Sequence, residues 1–131
     1  MTNPIPIEVP RLKRRLKNRD FNERVNALCT VDDAAPTELV PVIMEAMDDK
    51  VLVVQIAAMF ALGRIGKNAA EAVPKLISSL QNETVDACAI KALGQIGPSA
   101  SAALPALREL LQSKREVIRL YAGDAIRAIE R

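Results

Sequence analysis

The chain repeats itself with a nearly constant period, and this feature constrains its fold more than any other. The six residues ALGRIG at 61–66 return 31 positions later as ALGQIG at 92–97. A second element carries a proline in each copy, and its four prolines are spaced by 31, 33 and 31 residues: Pro10, Pro41, Pro74 and Pro105. A period of this length and constancy indicates a stack of similar small units.

Each unit is predicted to contain two helices, which we call A and B. In the B helix the proline lies in the first turn, where its missing N–H is not needed, and apolar residues follow two and six positions later on one face. The A helix ends in the ALG element, with Gly63 and Gly94 near its last turn and Gly66 and Gly97 just beyond it as left-handed caps. Small residues on the A helices would let neighbouring helices approach closely.

The order of these elements predicts an all-α fold of eight helices, arranged as four B-A units. One unit cannot bury its apolar stripe alone, so the units are expected to stack into an α-solenoid, or α-α superhelix. The predicted organisation is an N-terminal arm at 1–8 and a single repeat domain at 9–131, with helix pairs around 9–31, 37–66, 72–97 and 103–131. The first unit is the most divergent, because Arg24 falls where the other units have an alanine.

Composition excludes several classes of chemistry. The 131 residues include no His, no Trp and two Cys. Without His there is no Ser-His-Asp or Cys-His relay and no HExxH zinc helix, and two Cys cannot supply the four ligands of a structural zinc. The acidic pairs at 32–33 and 48–49 lack the spaced ligands of a calcium loop. We therefore expect no catalytic residue, no cofactor and no metal, and a protein that is not an enzyme.

Charge and cysteine usage favour a cytoplasmic protein. The formal net charge is only +2, no basic segment precedes an apolar signal region, and no apolar run approaches the length of a membrane span. Cys29 and Cys88 lie in A helices two units apart, so about 16–20 Å is expected between them. A disulfide needs Cα atoms within about 7 Å and is excluded. Reduced thiols that serve packing are the preferred interpretation.

The repeated elements resemble the HEAT-like repeats typified by phycocyanobilin lyase proteins, whose units read as an apolar residue, Arg, an Ala-rich helix ending ALGxIG and then AVPxLxxxL. The resemblance spans about 9–131 and is most specific in the two central units and at 118–129. The chain departs from the pattern at Gln55 and Asp86, which replace the usual Arg. The resemblance implies a curved solenoid whose B helices line the concave face and which holds another macromolecule.

Proteins of this type include subunits that attach or remove bilins on phycobiliproteins, adaptors of phycobilisome degradation and stand-alone scaffolds. The resemblance therefore leaves open an accessory role in bilin attachment or in phycobilisome assembly or degradation, with a phycobiliprotein as partner and Cys88 as a conceivable adduct site. Lyase subunits of this type are longer, which argues against a self-sufficient lyase. The preferred interpretation is a non-catalytic protein–protein interaction scaffold or adaptor, working as a subunit of a larger complex.

If the B helices line the concave face, the residues one, four, five and eight positions after each proline are expected to face the partner. The members of this set predicted to bind are Arg11, Arg14, Arg15, Val42, Glu45, Asp49, Lys75, Ser78, Ser79, Asn82 and Glu109. Along this face the charge runs from basic to acidic to neutral, unlike the uniform positive charge that follows a nucleic-acid backbone.

The basic run RLKRRLKNR at 11–19 has three interpretations. Leu12 and Leu16 are needed by the core, so the run reads first as a capping helix with a polar coat. It also suits an acidic protein partner. Nucleic-acid binding is the less favoured alternative, because no aromatic residue is interleaved for base stacking.

Apolar residues at nominally outward positions predict a second contact surface. Phe60 aligns with polar residues in the other units, and aromatic side chains at a polar surface are favoured interface anchors. The outer patch consists of Val53, Ile56, Phe60, Leu120 and Tyr121. It is predicted to contact a partner protein or a second copy of the chain. The alternative is that the N-terminal arm, or a rotation of the second A helix, covers it.

Overall fold

The structure, a computed structural model, describes residues 9–131, and over that range it contains helices and no strand. Its α-helices are α1 (Val9–Arg15), α2 (Phe21–Cys29), α3 (Leu39–Ala46), α4 (Leu52–Ile65), α5 (Val73–Ser79), α6 (Asp86–Ile96), α7 (Leu104–Leu110) and α8 (Glu116–Ile129). B and A helices alternate as predicted, so the odd-numbered helices are B and the even-numbered helices are A. The predicted N-terminal arm at 1–8 lies outside the described residues.

Two pairs of helices are joined without a break. Short 3-10 segments, Gly66–Ala72 and Gly97–Ala103, connect α4 to α5 and α6 to α7. The described chain therefore has six uninterrupted helical stretches, which corrects the prediction of eight separate helices. The two joined stretches bend at Gly66 and at Gly97, whose φ angles of 75° and 79° are disfavoured for residues with a side chain. Their ψ angles of −137° and −145° lie outside the left-handed helical region, so these glycines are not the αL caps that we expected.

The A and B helices form two layers. In one layer α2, α4, α6 and α8 pack each on the next, and each B helix packs against the A helix that follows it. The residue two positions after the proline is fully buried between the layers in all four B helices: Leu12, Ile43, Leu76 and Leu107. The core is thus a continuous strip of apolar side chains between the layers, as stacked repeats require.

Glycine sets the spacing between neighbouring A helices. A Cβ atom at Gly94 would lie 3.2 Å from the Ala125 Cα atom, so α6 and α8 touch backbone to backbone. A Cβ atom at Gly63 would collide with the side chain of Gln95 on α6, and the Ala92 Cα atom would be 3.4 Å away. This close spacing explains why small and aliphatic side chains dominate the core.

Candidate protein-binding surface

The surface formed by α1, α3, α5 and α7, which we call the B-helix face, exposes a stripe that differs in phase from the predicted one. In all four helices the proline and the residues four and seven positions after it are exposed: Pro10, Arg14, Lys17, Pro41, Glu45, Asp48, Pro74, Ser78, Gln81, Pro105, Glu109 and Gln112. In α3 and α5, positions one and five turn toward the preceding B helix instead. The stripe that we predicted therefore lines the grooves between B helices as well as the open face.

The predicted contact residues divide into three groups by burial. Those exposed are Arg11, Arg14, Glu45, Ser78, Asn82 and Glu109. Those half-buried are Arg15, Asp49, Lys75 and Ser79. The prediction that Val42 faces a partner is wrong, because this residue is 5% exposed and belongs to the core at the contact with α1.

A groove of about 340 Å³ runs between α1 and α3. On the α1 side Lys13 and Lys17 line it, and on the α3 side Glu45 and Asp49 line it. Charges of opposite sign therefore face each other across this groove.

A larger groove of about 590 Å³, the central groove, lies between α3 and α5. Its lining residues are Met47, Asp48, Gln55, Met59, Lys75, Ser78, Ser79, Asn82 and Val85. The buried side chains of Met47, Met59 and Val85 make its floor apolar. Ser78 and Ser79 make one wall low, so a partner could approach the backbone of α5 closely.

Polar groups surround this apolar floor. At the rim the Lys75 Nζ atom donates a hydrogen bond to the Asp48 Oδ2 atom at 2.5 Å. The contact residues predicted from the sequence include those of the α5 wall but not Asp48 and Gln55 on the opposite wall. Asp48 lies seven positions after Pro41, and Lys75 lies one position after Pro74. Their opposite charges at these facing positions are the sequence signal that points to Asp48.

The four turns that precede the A helices share one hydrogen-bonding arrangement. In each turn one side chain accepts a hydrogen bond from the backbone amide two residues later: Asn18, Asp49, Asn82 and Ser113. In three turns a long polar side chain six residues later donates back to the carbonyl oxygen of that residue: Arg24, Gln55 and Arg119. Arg24 is therefore the equivalent of Gln55 and Arg119, and the predicted register that matched it with an alanine is wrong.

An ion pair links the first two units at these turns. The Arg24 Nε and Nη2 atoms donate to the two carboxylate oxygens of Asp49 at 2.9 and 3.0 Å, and the two side chains are 13% and 14% exposed. Burial raises the pKa of Asp49, but the hydrogen bonds from Arg24 and the Val51 amide and the charges of Arg24 and Lys50 outweigh it. The pKa of Asp49 consequently lies below its ordinary value of 3.8. Both oxygens of Asp49 are engaged within the chain.

The last two units are linked by the reverse arrangement. Asp86 on α6 lies 31 residues after Gln55, the same offset as between the two ALG elements, but only four residues after Asn82. Its Oδ2 atom accepts a hydrogen bond from the Arg115 Nη1 atom at 2.6 Å. The Asp86 Oδ1 atom is buried and has no hydrogen-bond partner within 9–131.

The junction between the two central units differs from both. Gln55 donates to the Asp49 carbonyl oxygen of its own turn at 2.6 Å. Among the described residues no ion pair joins α4 to the turn at Asn82. The central groove opens at this junction, where the ion pair between the two units is the Lys75–Asp48 pair of the B-helix face.

Helix α1 carries a dense positive charge. Arg11, Lys13 and Arg14 are exposed, and none of them forms an ion pair with another residue of the described range. Leu12 is the buried residue of this helix. The polar coat expected of a capping helix is present, and the same charge is available to an acidic partner.

The outer patch is divided by the structure. Val53 and Phe60 are 44% and 37% exposed, whereas Ile56 is half-buried and packs against the core. Phe60 is therefore not covered by a rotation of α4. The other alternative, that the N-terminal arm covers it, involves residues outside the described range. In α8, Leu120 is 60% exposed, and Tyr121 is half-buried with the Lys91 Nζ atom 4.6 Å from its ring centroid.

Both cysteines are free thiols, as predicted, and Cys29 is exposed. Cys88 is half-buried, and this burial raises the pKa of its thiol; the nearby Lys91 charge lowers the pKa and Asp86 raises it further. A raised pKa leaves less of the nucleophilic thiolate at neutral pH.

Residues 9–131 offer neither a metal site nor a membrane span. That range holds no cluster of three or more Cys, Asp or Glu residues able to bind a metal ion. None of its helices combines the length and the apolar character needed to cross a membrane.

Comparisons with known proteins identify the repeat. Two engineered proteins solved by the Northeast Structural Genomics Consortium share the fold, each with a TM-score of 0.66, at 23% and 22% sequence identity. The alignments cover 93% and 94% of this chain but only 62% and 38% of the engineered chains. No curated protein matches. The family model of HEAT repeats matches residues 54–127, which is more than half of the sequence, and the chain therefore belongs to the HEAT-repeat family.

Proposed function

We propose that this chain is a non-catalytic scaffold, a subunit of a larger complex, that holds a segment of another protein across the B-helix face. HEAT repeats commonly mediate protein–protein interaction, which supports the general role. The observation that carries the proposal is the central groove, a concavity of the B-helix face with buried Met47, Met59 and Val85 at its floor and polar side chains around it. Pockets with an apolar base and a few polar groups at the rim are typical binding sites.

The lining of the groove suits a polypeptide. Its floor accepts one aliphatic side chain of the partner, and Ser78 allows the partner backbone to come close. The Lys75–Asp48 pair is partly exposed, so it exchanges for peptide or side-chain groups at little cost. Gln55 and Asn82 add amide groups that both donate and accept hydrogen bonds.

The charge of α1 suggests the character of the adjoining part of the partner. Arg11, Lys13 and Arg14 have no ion-pair partner among the residues described, so acidic side chains of a bound segment would neutralise them. We propose an acidic stretch in the partner, next to the residue that enters the central groove. Such a contact speeds association and weakens as salt rises.

The test uses the full chain as bait in native lysate, with a photo-crosslinking residue on the B-helix face and mass spectrometry of the captured proteins. Ser78→Trp fills the central groove, and Ser101→Trp, at an exposed position of the second 3-10 segment, is the matched control. A genuine partner is captured by the parent and by Ser101→Trp and is lost with Ser78→Trp. A partner captured equally by both variants, with circular dichroism showing both folded, contradicts the proposed surface.

The alternatives receive less support. A bilin adduct at Cys88 is disfavoured, because the raised pKa of this half-buried thiol leaves less of the nucleophilic thiolate. Nucleic-acid binding would need positive charge along the whole face, whereas α3 and its following turn carry Glu45, Asp48 and Asp49. Two free thiols suit a reducing compartment, so we propose a cytoplasmic setting.

A further inference from the structure

Helix α8 carries four residues in a row along the face that points away from α6. Their spacing of four, three and four residues places them on one side of the helix: Glu116, Leu120, Gly123 and Arg127. Leu120 is 60% exposed, and Leu111, the residue that follows α7 and approaches Gly123, is 39% exposed. Glu116 and Arg127 are exposed at the two ends of the row.

In the other units the equivalent positions are covered by the next unit. The repeat places Leu111 at the position of Met47 and Leu80, which are both buried. It places Gly123 at the position of Met59 and Ile90, which are buried as well. The outer side of α7 and α8 thus corresponds to the surface on which the next helix pair stacks in the other units, and it exposes Leu111 and Leu120.

No contact among the described residues explains why position 123 is a glycine. A glycine in a helix interior costs about 1 kcal/mol relative to alanine. Gly63 and Gly94 face the backbone or side chains of a neighbouring helix, so their glycines make room. A Cβ atom at Gly123 would come no closer than 3.6 Å to the Arg127 Nη1 atom and 4.0 Å to the Leu111 Cδ2 atom, so no described residue requires a glycine here.

We propose that two copies of the chain associate through α8, with the two helices antiparallel about a two-fold axis at their midpoint, between Tyr121 and Ala122. In this arrangement Leu120 of each copy enters the space above the partner's Gly123. Glu116 faces the partner's Arg127, and the symmetry repeats both contacts. The order acid, leucine, glycine, base is therefore complementary to itself when it is read in the opposite direction.

This self-complementarity selects a second copy as the occupant. The existing pairing of Arg127 with Asp124 on the same helix is no obstacle, because the side chains are 73% and 70% exposed and such pairs contribute little. The dimer goes beyond the proposed scaffold role, and it leaves the B-helix face of each copy open.

The test is the oligomeric state, measured by sedimentation equilibrium on the full chain. We expect a reversible dimer of micromolar affinity that weakens at least about tenfold in Glu116→Arg and in Arg127→Glu, because each reversal creates two contacts between like charges. The double variant restores the dimer. A mixture of the two single variants forms a heterodimer, because opposite charges then face each other at both ends. Lys67→Glu, on an exposed part of the first 3-10 segment, is the matched control and dimerises like the parent.

Gly123→Ala separates the dimer from monomer stability. The added methyl raises the thermal stability of the dilute monomer, because it removes the helix penalty of glycine, and it weakens the dimer by blocking Leu120. A chain that stays monomeric at about 1 mM overturns the proposal. A dimer that is insensitive to the charge reversals and is lost in Phe60→Asp overturns it in favour of the outer patch. Neither result bears on partner capture through the central groove.

Discussion

At the scale of single residues, the first and last junctions each join an A helix to the next turn by an Arg–Asp pair, in opposite orientation. Arg24 on an A helix binds Asp49 in the next turn, whereas Asp86 on an A helix binds Arg115 in the next turn. The link therefore depends on opposite charge at two positions and not on which position holds the arginine. A pattern that requires Arg on the A helix detects only half of these links.

Replacing Asp49 by Asn should make the stability of the first junction independent of pH. The folded-state pKa of Asp49 lies below that of the unfolded chain, so the stabilisation is present above about pH 4 and is lost as pH falls through the folded pKa. At pH 7 we expect Asp49→Asn to lower the free energy of unfolding by about 2 kcal/mol, measured by urea titration, and the difference from the parent should shrink below about pH 4.

Asp33→Asn is the matched control for this prediction. Asp33 is exposed and forms no ion pair with a described residue, so its replacement should leave the unfolding free energy nearly unchanged at every pH. A constant difference between the parent and Asp49→Asn from pH 7 to pH 3 would show that the Asp49 carboxylate charge is not what stabilises the junction.

Residue-level predictions from the sequence failed where they depended on the geometry of the stack. Position one of α3 reads as outward on a single helix, but the preceding B helix covers it, and so Val42 is core. An alignment of the A-helix sequences places Arg24 opposite an alanine and so does not show that Arg24 and Gln55 are equivalent. Counting six residues from the side chain that closes each turn would have revealed it.

At the scale of elements, the sequence repeat predicted the helices correctly but did not predict how they are connected. The proline and ALG elements predicted the order of helices and the buried residue two positions after each proline, whereas the residue six positions after the proline is buried in the α3 and α5 units alone. The linkers at Gly66–Ala72 and Gly97–Ala103 read as breaks, yet they are 3-10 segments that each bury two alanines in the core. Small-residue linkers can stay helical when a neighbouring layer buries them, and this depends on tertiary contacts rather than local sequence.

Alanine at the two interior glycines should separate a tight helix contact from a forgiving one. In Gly94→Ala the new methyl meets the Ala125 backbone, which cannot move without shifting α8, so we expect a loss of about 1–2 kcal/mol in unfolding free energy. In Gly63→Ala the closest obstacle is the flexible side chain of Gln95, which rotates away, and the gain in helix propensity offsets the cost.

Chemical denaturation of both variants and of a Gln95→Ala background measures this contrast. With Gln95 shortened, Gly63→Ala should become stabilising by about 0.5–1 kcal/mol, whereas the cost of Gly94→Ala should not change. Equal losses for the two glycine variants would mean that the spacing between A helices is not set by the contact of Gly94 with Ala125.

At the scale of the whole molecule, stability is distributed by position in the stack. Each A helix contacts mainly its two neighbours in the layer and the adjoining B helices. Helices α4 and α6 are covered on both sides by other A helices, whereas α2 has an A-helix neighbour on one side within the described residues. In such a linear arrangement local opening starts where fewest interfaces must break.

Amide hydrogen exchange should therefore follow the order of the helices along the stack. We expect the slowest exchange in α4 and α6 and the fastest among the helices in α1, where Leu12 supplies the buried contact, with α2 between them. Mass spectrometry of peptic fragments, taken at a concentration low enough to keep the chain monomeric, measures this order. Under those conditions α8 should exchange faster than α6, and raising the concentration should slow α8 selectively if two copies pair through it. Uniform protection of all eight helices would show instead that the chain opens only as one cooperative unit, and that the interfaces between units are stronger than nearest-neighbour stacking implies.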